Sequence, residues 1–84
     1  MYRIEITKRA NKMLIRMPSN QRLLIYRKIE EYAANPDEGR NVIKLTGENG
    51  YRMRVGDWRV IFERDDDVLK ILVLAVGARG GVYK

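Results

Sequence analysis

Two short polar turns in the second half of the chain constrain the fold more than any other feature. Gly56-Asp57 and the acidic run at residues 65–67 separate three segments that either alternate between apolar and polar residues or are apolar throughout. Such segments joined by tight turns are typical of antiparallel strands in consecutive hairpins. Residues 51–84 therefore predict a three-stranded antiparallel meander followed by a short tail.

The first hairpin has a definite predicted register, because Gly56 and Asp57 suit the two central positions of its turn. Counting outward pairs Val55 with Trp58 at the turn and Tyr51 with Phe62 at the far end. Successive side chains of a strand point to opposite faces of the sheet. One predicted face carries Tyr51, Met53, Val55, Trp58, Val60 and Phe62. The other carries Arg52, Arg54 and Arg59.

These three arginines form the first candidate site. Arg54 and Arg59 are predicted to lie directly opposite each other, and opposed like charges destabilise a sheet. The guanidinium group is always charged, and its planar fork of donors suits phosphate. The cluster indicates an anion site; the alternative is a solvated sheet face whose side chains spread apart.

The second hairpin is predicted to turn at Asp66 and Asp67, which pairs Glu63 with Lys70. On the apolar face, this register sets Phe62, Val60 and Trp58 opposite Ile71, Val73 and Ala75. The arginine side then also carries Ile61, Leu72, Leu74 and Val76. A mixture of apolar and cationic groups on an open sheet face predicts a docking surface, unless the chain after Gly77 folds over it.

The N-terminal half predicts one strand and two helices. Residues 2–7 alternate as in a half-buried strand, with Tyr2, Ile4 and Ile6 on one side. From Lys8 the apolar period becomes helical, and Pro18 ends this first helix. Its predicted inner face is Ala10, Met13, Leu14 and Met17, and its basic stripe is Lys8, Lys12 and Arg16. That stripe is either the solvated side of the helix or a contact for nucleic-acid backbone.

Ser19 is the predicted N-cap of the second helix, which runs to about Ala34. Its predicted inner face is Ile25, Ile29, Tyr32 and Ala33. Residues 35–50 are predicted as the only extended loop, anchored by Val42, Ile43 and Leu45. The predicted fold class is α+β: an N-terminal strand, a two-helix hairpin and a three-stranded antiparallel meander, with both helices on one face of a four-stranded sheet. The 84 residues suffice for a single domain, residues 1–84.

Charge and missing residue types narrow the chemistry. Lys and Arg total 17 against 11 Asp and Glu, and the net charge of +6 favours nucleic acid or an acidic protein as partner. The chain has no histidine, so acid–base catalysis has to use Tyr, Lys, Arg or a carboxylate. It has no cysteine either, which excludes disulfides, thiolate catalysis and cysteine metal sites.

No metal and no membrane are expected as partners. The aspartates at 65–67 suit turn chemistry better than a cation site, because consecutive carboxylates do not converge easily. The N-terminus has no apolar signal segment, and the longest apolar run, residues 71–76, is too short to span a bilayer. A cytoplasmic location is therefore the expectation.

The tail, residues 77–84, is the second candidate site. Three glycines between residues 77 and 81 permit a sharp turn that returns Arg79, Tyr83 and Lys84 toward the sheet. The alternative is a frayed terminus. Lys44, at the end of the long loop, either adds a cation to the same edge or is simply solvated.

Together these segments resemble the RelE/ParE superfamily of bacterial toxin–antitoxin toxins, in particular its RelE-like mRNA interferase branch. The resemblance covers nearly the whole chain. It rests on the strand-helix-helix-three-strand order, on Lys44-Leu45, on YRMRVGDWRVIFE at residues 51–63 and on VGARGGVYK at residues 76–84. It implies an endoribonuclease that needs no metal or cofactor. Such an enzyme cleaves mRNA in the ribosomal A site by attack of the 2′-hydroxyl, and so inhibits translation.

The resemblance also implies roles for five catalytic residues. Arg52 and Arg54 correspond to the basic pair that contacts the scissile region and helps to activate the nucleophile, and Arg59 to the arginine that binds the phosphate. Arg79 corresponds to the basic residue near the leaving oxygen, and Tyr83 to the aromatic residue that stacks on a base or assists proton transfer.

Two lysines complete the expected site, and one position departs from the family. Lys44 and Lys84 are expected to bind RNA. Ala78 stands where many relatives have His, Lys or Pro, so a histidine-dependent mechanism is ruled out. Preorganised arginines stabilise the charge that develops in phosphoryl transfer, which suits this composition.

Two other functions stay open from the sequence. The ParE-like branch inhibits DNA gyrase and does not cleave RNA, and a basic module of this size can bind RNA or an acidic protein without catalysis. The resemblance further implies a cognate antitoxin protein as partner. Its predicted binding surface is Ile61, Leu72 and Leu74 beside the arginines, with apolar anchors for affinity and cations for an acidic segment.

Overall fold

Two helices and five strands make up the part of the chain that the computed structural model describes, residues 1–36, 41–45 and 50–78. In chain order the elements are β1 (Arg3–Ile6), α1 (Lys8–Arg16), α2 (Ser19–Ala34), β2 (Val42–Lys44), β3 (Gly50–Val55), β4 (Trp58–Asp65) and β5 (Lys70–Ala78).

The strands form one sheet in the order β1-β5-β4-β3-β2. β1 runs parallel to β5, and every other pair of neighbours is antiparallel. The α+β class is confirmed, but the sheet has five strands rather than four. The additional strand, β2, lies in the predicted loop and pairs with β3 at the sheet edge. Three residues are too few for alternation to reveal a strand.

Helix α1 begins at a side-chain cap. The Thr7 hydroxyl oxygen accepts a hydrogen bond from the Ala10 amide at 3.2 Å, which satisfies one of the free donors of the first turn. Leu14 and Met17 are buried with Ala10 as predicted. Met13, predicted to lie with them, is instead 37% exposed, because it lies at the margin of the apolar stripe.

Helix α2 has the C-terminal end and the inner face that the sequence predicts, with Ile25, Ile29, Tyr32 and Ala33 all buried. The predicted cap is wrong. Ser19 is the first helical residue, Pro18 occupies the N-cap, and no side chain caps this end. The Pro18 carbonyl accepts from the amides of Gln21 and Arg22, both at 3.0 Å, and the φ of proline favours this entry into a helix.

The core lies between the two helices and the adjacent sheet face. Its buried members are Ala10, Leu14, Met17, Ile25, Ile29, Tyr32, Ala33, Met53, Val55, Val60, Phe62, Ile71, Val73 and Val76. Phe62 is central: its ring stacks on Tyr51 with centroids 5.5 Å apart and meets Tyr32 edge-on at 5.2 Å. These contacts join α2 to β3 and β4 and fix which sheet face is inward.

The first hairpin has the predicted register from Val55 opposite Trp58 to Tyr51 opposite Phe62. Gly56 adopts a φ of 58°, a conformation that costs glycine little. The predicted outward face of Arg52, Arg54 and Arg59 is therefore confirmed.

The second hairpin turns later than predicted. Its loop is residues 66–69, Asp65 pairs with Lys70, and Glu63 faces Leu72 rather than Lys70. The Asp65 carboxylate accepts from the amides of Asp67 at 3.0 Å and Val68 at 3.2 Å, so it closes a four-residue loop. This shift of two residues leaves Ile71 and Val73 on the inward face as predicted.

A β-bulge at Leu74 in β5 changes which of the following β5 residues face the core. Phe62 lies opposite Val73 and Ile61 opposite Ala75, so Leu74 has no partner on β4. Val76 therefore lies opposite Val60 in the core, and its predicted place on the arginine side is wrong. Ala75 is opposite Ile61 rather than Trp58, and Trp58 is opposite Ala78.

Candidate functional site

The arginine face is the sheet surface that carries Arg52, Arg54 and Arg59, on the side away from the helices. Arg54 lies directly opposite Arg59, and Arg52 lies next but one to Arg54 along β3. Arg52 and Arg59 are half-buried and Arg54 is exposed. Residues directly opposite in a hairpin have Cβ atoms about 5 Å apart, so long guanidinium side chains converge easily on one anion.

Arg59 has a glycine as its neighbour on β5. This partner is Gly77, which the bulge brings to this position. Gly77 is itself buried, and β5 ends one residue later at Ala78. The β5 neighbour of Arg59 therefore contributes backbone and no side chain to the arginine face.

Apolar residues continue the arginine face toward both neighbouring strands. Arg52 lies between Ile43 of β2 and Ile61 of β4, and Ile61 lies opposite Ala75. Ile43 is half exposed, so it offers an apolar contact that the loop prediction missed. Lys44 lies opposite Tyr51 and so belongs to the helix side of the sheet, not to the arginine face.

The far end of the same surface carries side chains of both charges. Leu72 lies between Glu5 and Glu63, and a shallow pocket of about 160 Å³ there is lined by Glu63, Arg64, Asp65, Lys70 and Leu72. Of the residues predicted to bind the antitoxin, Ile61 therefore lies beside an arginine and Leu72 lies between carboxylates. Leu74, at the bulge, is half-buried between them.

Arg64 organises a cluster that the sequence did not reveal. Its guanidinium donates to both carboxylate oxygens of Asp66 at 2.6 and 3.1 Å and to the Tyr32 hydroxyl at 3.0 Å. It also lies 5.6 Å from the ring centroids of Tyr2 and Tyr51, and the Tyr2 hydroxyl donates to Asp66 at 2.7 Å. The only signal for this cluster in the sequence was that Arg64 falls on the inward side of β4, in line with aromatic positions.

Electrostatics in this cluster follow from the hydrogen bonds. Donation from Arg64, and then from Tyr2, lowers the pKa of Asp66 to about 2. The same bond to Asp66 raises the pKa of Tyr2, because the carboxylate favours the protonated phenol. This hydrogen-bonded cluster links α2 and β4 to Tyr2 at one end of the sheet. It is distinct from the arginine face.

Three predicted site residues, Arg79, Tyr83 and Lys84, lie outside the described residues. In residues 1–36, 41–45 and 50–78, no group of three His, Cys, Asp or Glu side chains is placed to hold a metal ion. Neither of the two described helices is long and apolar enough to cross a membrane.

Comparison with known proteins gives a consistent family. The family model for the ParE toxin of the type II toxin-antitoxin system parDE matches residues 4–83. The RelE–RelB complex from the archaeon Pyrococcus horikoshii OT3 contains a chain 36% identical, with a TM-score of 0.74 over 96% of this chain and 98% of that one.

Two further structures are similar at lower identity. A chain of the RelB–RelE complex from Methanococcus jannaschii is 28% identical, with a TM-score of 0.68 over 88% of each chain. The isolated E. coli RelE toxin shares the fold at 22% identity, with a TM-score of 0.80 over 99% of this chain and 89% of that one. No curated protein sequence matches significantly. With its residues matched almost end to end, the chain belongs to the RelE/ParE superfamily of toxins from type II toxin–antitoxin systems.

Proposed function

We propose that this toxin is an endoribonuclease that cleaves mRNA in the ribosomal A site and so inhibits translation. The observation that carries the proposal is the convergence of Arg52, Arg54 and Arg59 on one outward sheet face. Similarity to a RelE chain over nearly the full length supports the same activity. A chain that lacks histidine needs a mechanism based on electrostatics, and three guanidinium groups supply it.

The proposed reaction uses groups of the RNA and of this chain. The ribose 2′-oxygen attacks the adjacent phosphorus, the bond from phosphorus to the 5′-oxygen breaks, and the products are a 2′,3′-cyclic phosphate and a 5′-hydroxyl. The proton of the 2′-hydroxyl leaves as that oxygen attacks, and the 5′-oxygen gains one. The attacked phosphate gains negative charge in the transition state, so preorganised arginines stabilise it more than the ground state.

Residue roles follow from this scheme. Arg59, between Arg54 of β3 and Gly77 of β5, binds the attacked phosphate. Arg52 and Arg54 orient the nucleotide that carries the 2′-hydroxyl. Arg79 is assigned to the leaving oxygen, Tyr83 to base stacking or proton transfer, and Lys84 to RNA beyond the scissile bond. Lys44 lies on the helix side of the sheet and has no role in this scheme.

A cognate antitoxin is the proposed protein partner, since RelE relatives are seen in complexes with RelB. Ile61 beside Arg52 provides an apolar anchor next to a cation, and Leu72 and Leu74 extend the contact along β5. An acidic antitoxin segment on the arginine face neutralises the toxin because it occupies the positions that RNA needs.

Inhibition of DNA gyrase is the second candidate, because the matching family model describes a ParE toxin. Under that proposal the arginine face contacts gyrase or its DNA and performs no cleavage. A non-catalytic RNA- or protein-binding module is the third.

One experiment separates these functions. The toxin is induced in a bacterial host, mRNA 5′ ends are mapped, and DNA breaks are measured in the same cells. Cleavage predicts rapid arrest of translation and codon-phased cuts with 5′-hydroxyl ends. Arg59→Ala and Arg79→Ala abolish both effects, whereas Arg27→Ala, which removes the same charge from an exposed site on α2, leaves them intact.

The opposite outcomes are equally clear. DNA breaks with intact mRNA identify a gyrase inhibitor, and the absence of both effects identifies a binding module. Either result overturns the ribonuclease proposal.

A further inference from the structure

A single threonine links the first helix to the β-bulge beside the arginine face. The Thr7 hydroxyl accepts from the Ala10 amide at the start of α1 and donates to the Leu74 carbonyl at 3.1 Å. The Thr7 amide donates to the Val73 carbonyl at 3.0 Å. In a regular strand successive carbonyls point to opposite edges, so two consecutive carbonyls directed at Thr7 mark the irregularity.

This contact replaces a lost ladder partner. Leu74 has no register partner on β4, and a backbone carbonyl without a partner is costly when it is removed from water. The Thr7 hydroxyl has one proton to donate and lone pairs to accept, so it satisfies the Leu74 carbonyl and caps the helix at once. Thr7 is half-buried, which strengthens both bonds relative to an exposed site.

The bulge determines what lies beside Arg59. Without it, the pairing of Phe62 with Val73 would continue as a regular ladder and set Val76 opposite Arg59. With it, Val76 enters the core and Gly77 lies opposite Arg59. A β-branched side chain is thereby replaced by a glycine beside the arginine proposed to hold the phosphate.

We propose that Thr7 is a positioning residue of the arginine face: its hydroxyl bond to Leu74 fixes the bulge that sets Gly77 opposite Arg59. The catalytic consequence rests on the proposed ribonuclease function. The geometric consequence does not, and it is measured separately.

Three substitutions separate positioning from helix capping. Thr7→Ser keeps both hydrogen bonds. Thr7→Asp keeps an acceptor for the Ala10 amide but has no proton for the Leu74 carbonyl, so it caps α1 and releases the bulge. Thr7→Val removes both bonds. Gly77→Val leaves Thr7 untouched and restores the β-branched neighbour of Arg59.

The first measurement is an NMR comparison of backbone amide shifts at Gly77, Arg59 and Leu74, with Lys12 on α1 as an internal control. Thr7→Ser is expected to match the wild type. Thr7→Asp is expected to shift the three site amides and to leave α1 formed. If Thr7→Asp leaves Gly77 and Arg59 unchanged, the proposal is overturned, whatever the toxin's activity.

The second measurement is the single-turnover cleavage rate on mRNA bound to ribosomes. Thr7→Asp and Gly77→Val are expected to lower the rate at saturating toxin at least tenfold, with Thr7→Ser at the wild-type rate. A wild-type rate in Thr7→Asp with shifted amides overturns the catalytic part. If the wild type itself does not cleave, the proposed function fails, and the amide shifts still decide the geometry.

Discussion

Arg54 and Arg59 lie directly opposite each other across the β3–β4 hairpin, so two like charges share one small patch of sheet. Such a pair lowers the stability of an isolated sheet by a few tenths of a kcal/mol. An anion between the two guanidinium groups removes that penalty and adds charge-assisted hydrogen bonds. We therefore expect an anion bound at this hairpin to stabilise the fold.

The first prediction is that inorganic phosphate stabilises the toxin more than chloride does at equal ionic strength. At ten times its dissociation constant the gain is about 1.4 kcal/mol, or several degrees in Tm for a domain of this size. Unfolding is followed by fluorescence of Trp58, the single tryptophan. Arg59→Ala is expected to lose the phosphate-specific gain and Arg27→Ala to keep it; equal gains in both would contradict an anion site here.

The second prediction concerns the role of Arg59 in cleavage. Arg59→Ala is expected to lower the cleavage rate by about 10²- to 10³-fold, as for loss of one preorganised transition-state donor. Arg59→Lys keeps the charge and loses the planar fork, so its rate is expected to lie between those of Ala and the wild type. Single-turnover cleavage of ribosome-bound mRNA measures this, and an Ala variant within threefold of wild type would exclude a direct role.

The third prediction concerns the antitoxin. Truncation of Ile61 to Ala removes the apolar anchor beside Arg52 and is expected to weaken antitoxin binding by about 1–3 kcal/mol, roughly 5- to 150-fold in Kd. Leu23→Ala is the matched control, because Leu23 is 61% exposed on α2, on the other side of the sheet. Calorimetry with the purified antitoxin gives both values. A larger loss in the control would place the interface on the helices.

The fourth prediction concerns Arg64 and stability. Arg64→Met removes the bonds to Asp66 and the Tyr32 hydroxyl, and we expect a loss of about 2 kcal/mol in the free energy of unfolding. The loss is no larger because Asp66, one of the two partners, is largely exposed to solvent. Arg27→Met, at an exposed position on α2, is expected to cost little. Urea unfolding measures both, and a loss no greater than that of Arg27→Met would show the cluster to be incidental.

The fifth prediction follows from the lowered pKa of Asp66. A carboxyl whose folded pKa lies near 2, below its unfolded value of about 3.9, contributes its full stability above pH 4. That contribution is lost as pH falls from about 4 to about 2. Asp66→Asn, which does not titrate, is expected to be less stable at neutral pH and to show a shallower acid decline. If the Tm of the wild type and that of Asp66→Asn fall equally as the pH is lowered, this assignment is refuted.

Alternation and turn chemistry predicted the parts of the fold that depend on local pattern. The inner face of α2 and the whole register of the first hairpin follow from periodicity and from Gly56-Asp57, so the three arginines were placed correctly. The turn of the second hairpin was predicted wrongly, also for a local reason. Three consecutive aspartates are compatible with several turn positions, and only the hydrogen bonds of Asp65 distinguish among them.

The remaining features depend on contacts between distant segments. The bulge at Leu74 requires Thr7 from the opposite end of the chain, and no pattern within β5 announces it. In the sequence, Arg64 resembles any solvated charge next to Glu63. Only the fold brings it against the rings of Tyr2 and Tyr51. Periodicity within a short stretch of sequence carries no information on such long-range contacts, so the position of Gly77 opposite Arg59 was not foreseen.

The parallel pairing of β1 with β5 has a consequence for how the toxin is made. β1 is the first strand to be synthesised, yet its partner begins at Lys70 and lies between β1 and the rest of the sheet. Helices and the first hairpin have local contacts and form early, whereas this pairing has to wait for the last strand to leave the ribosome. We therefore expect β1 to join the sheet late in folding, after the helices and the first hairpin have formed.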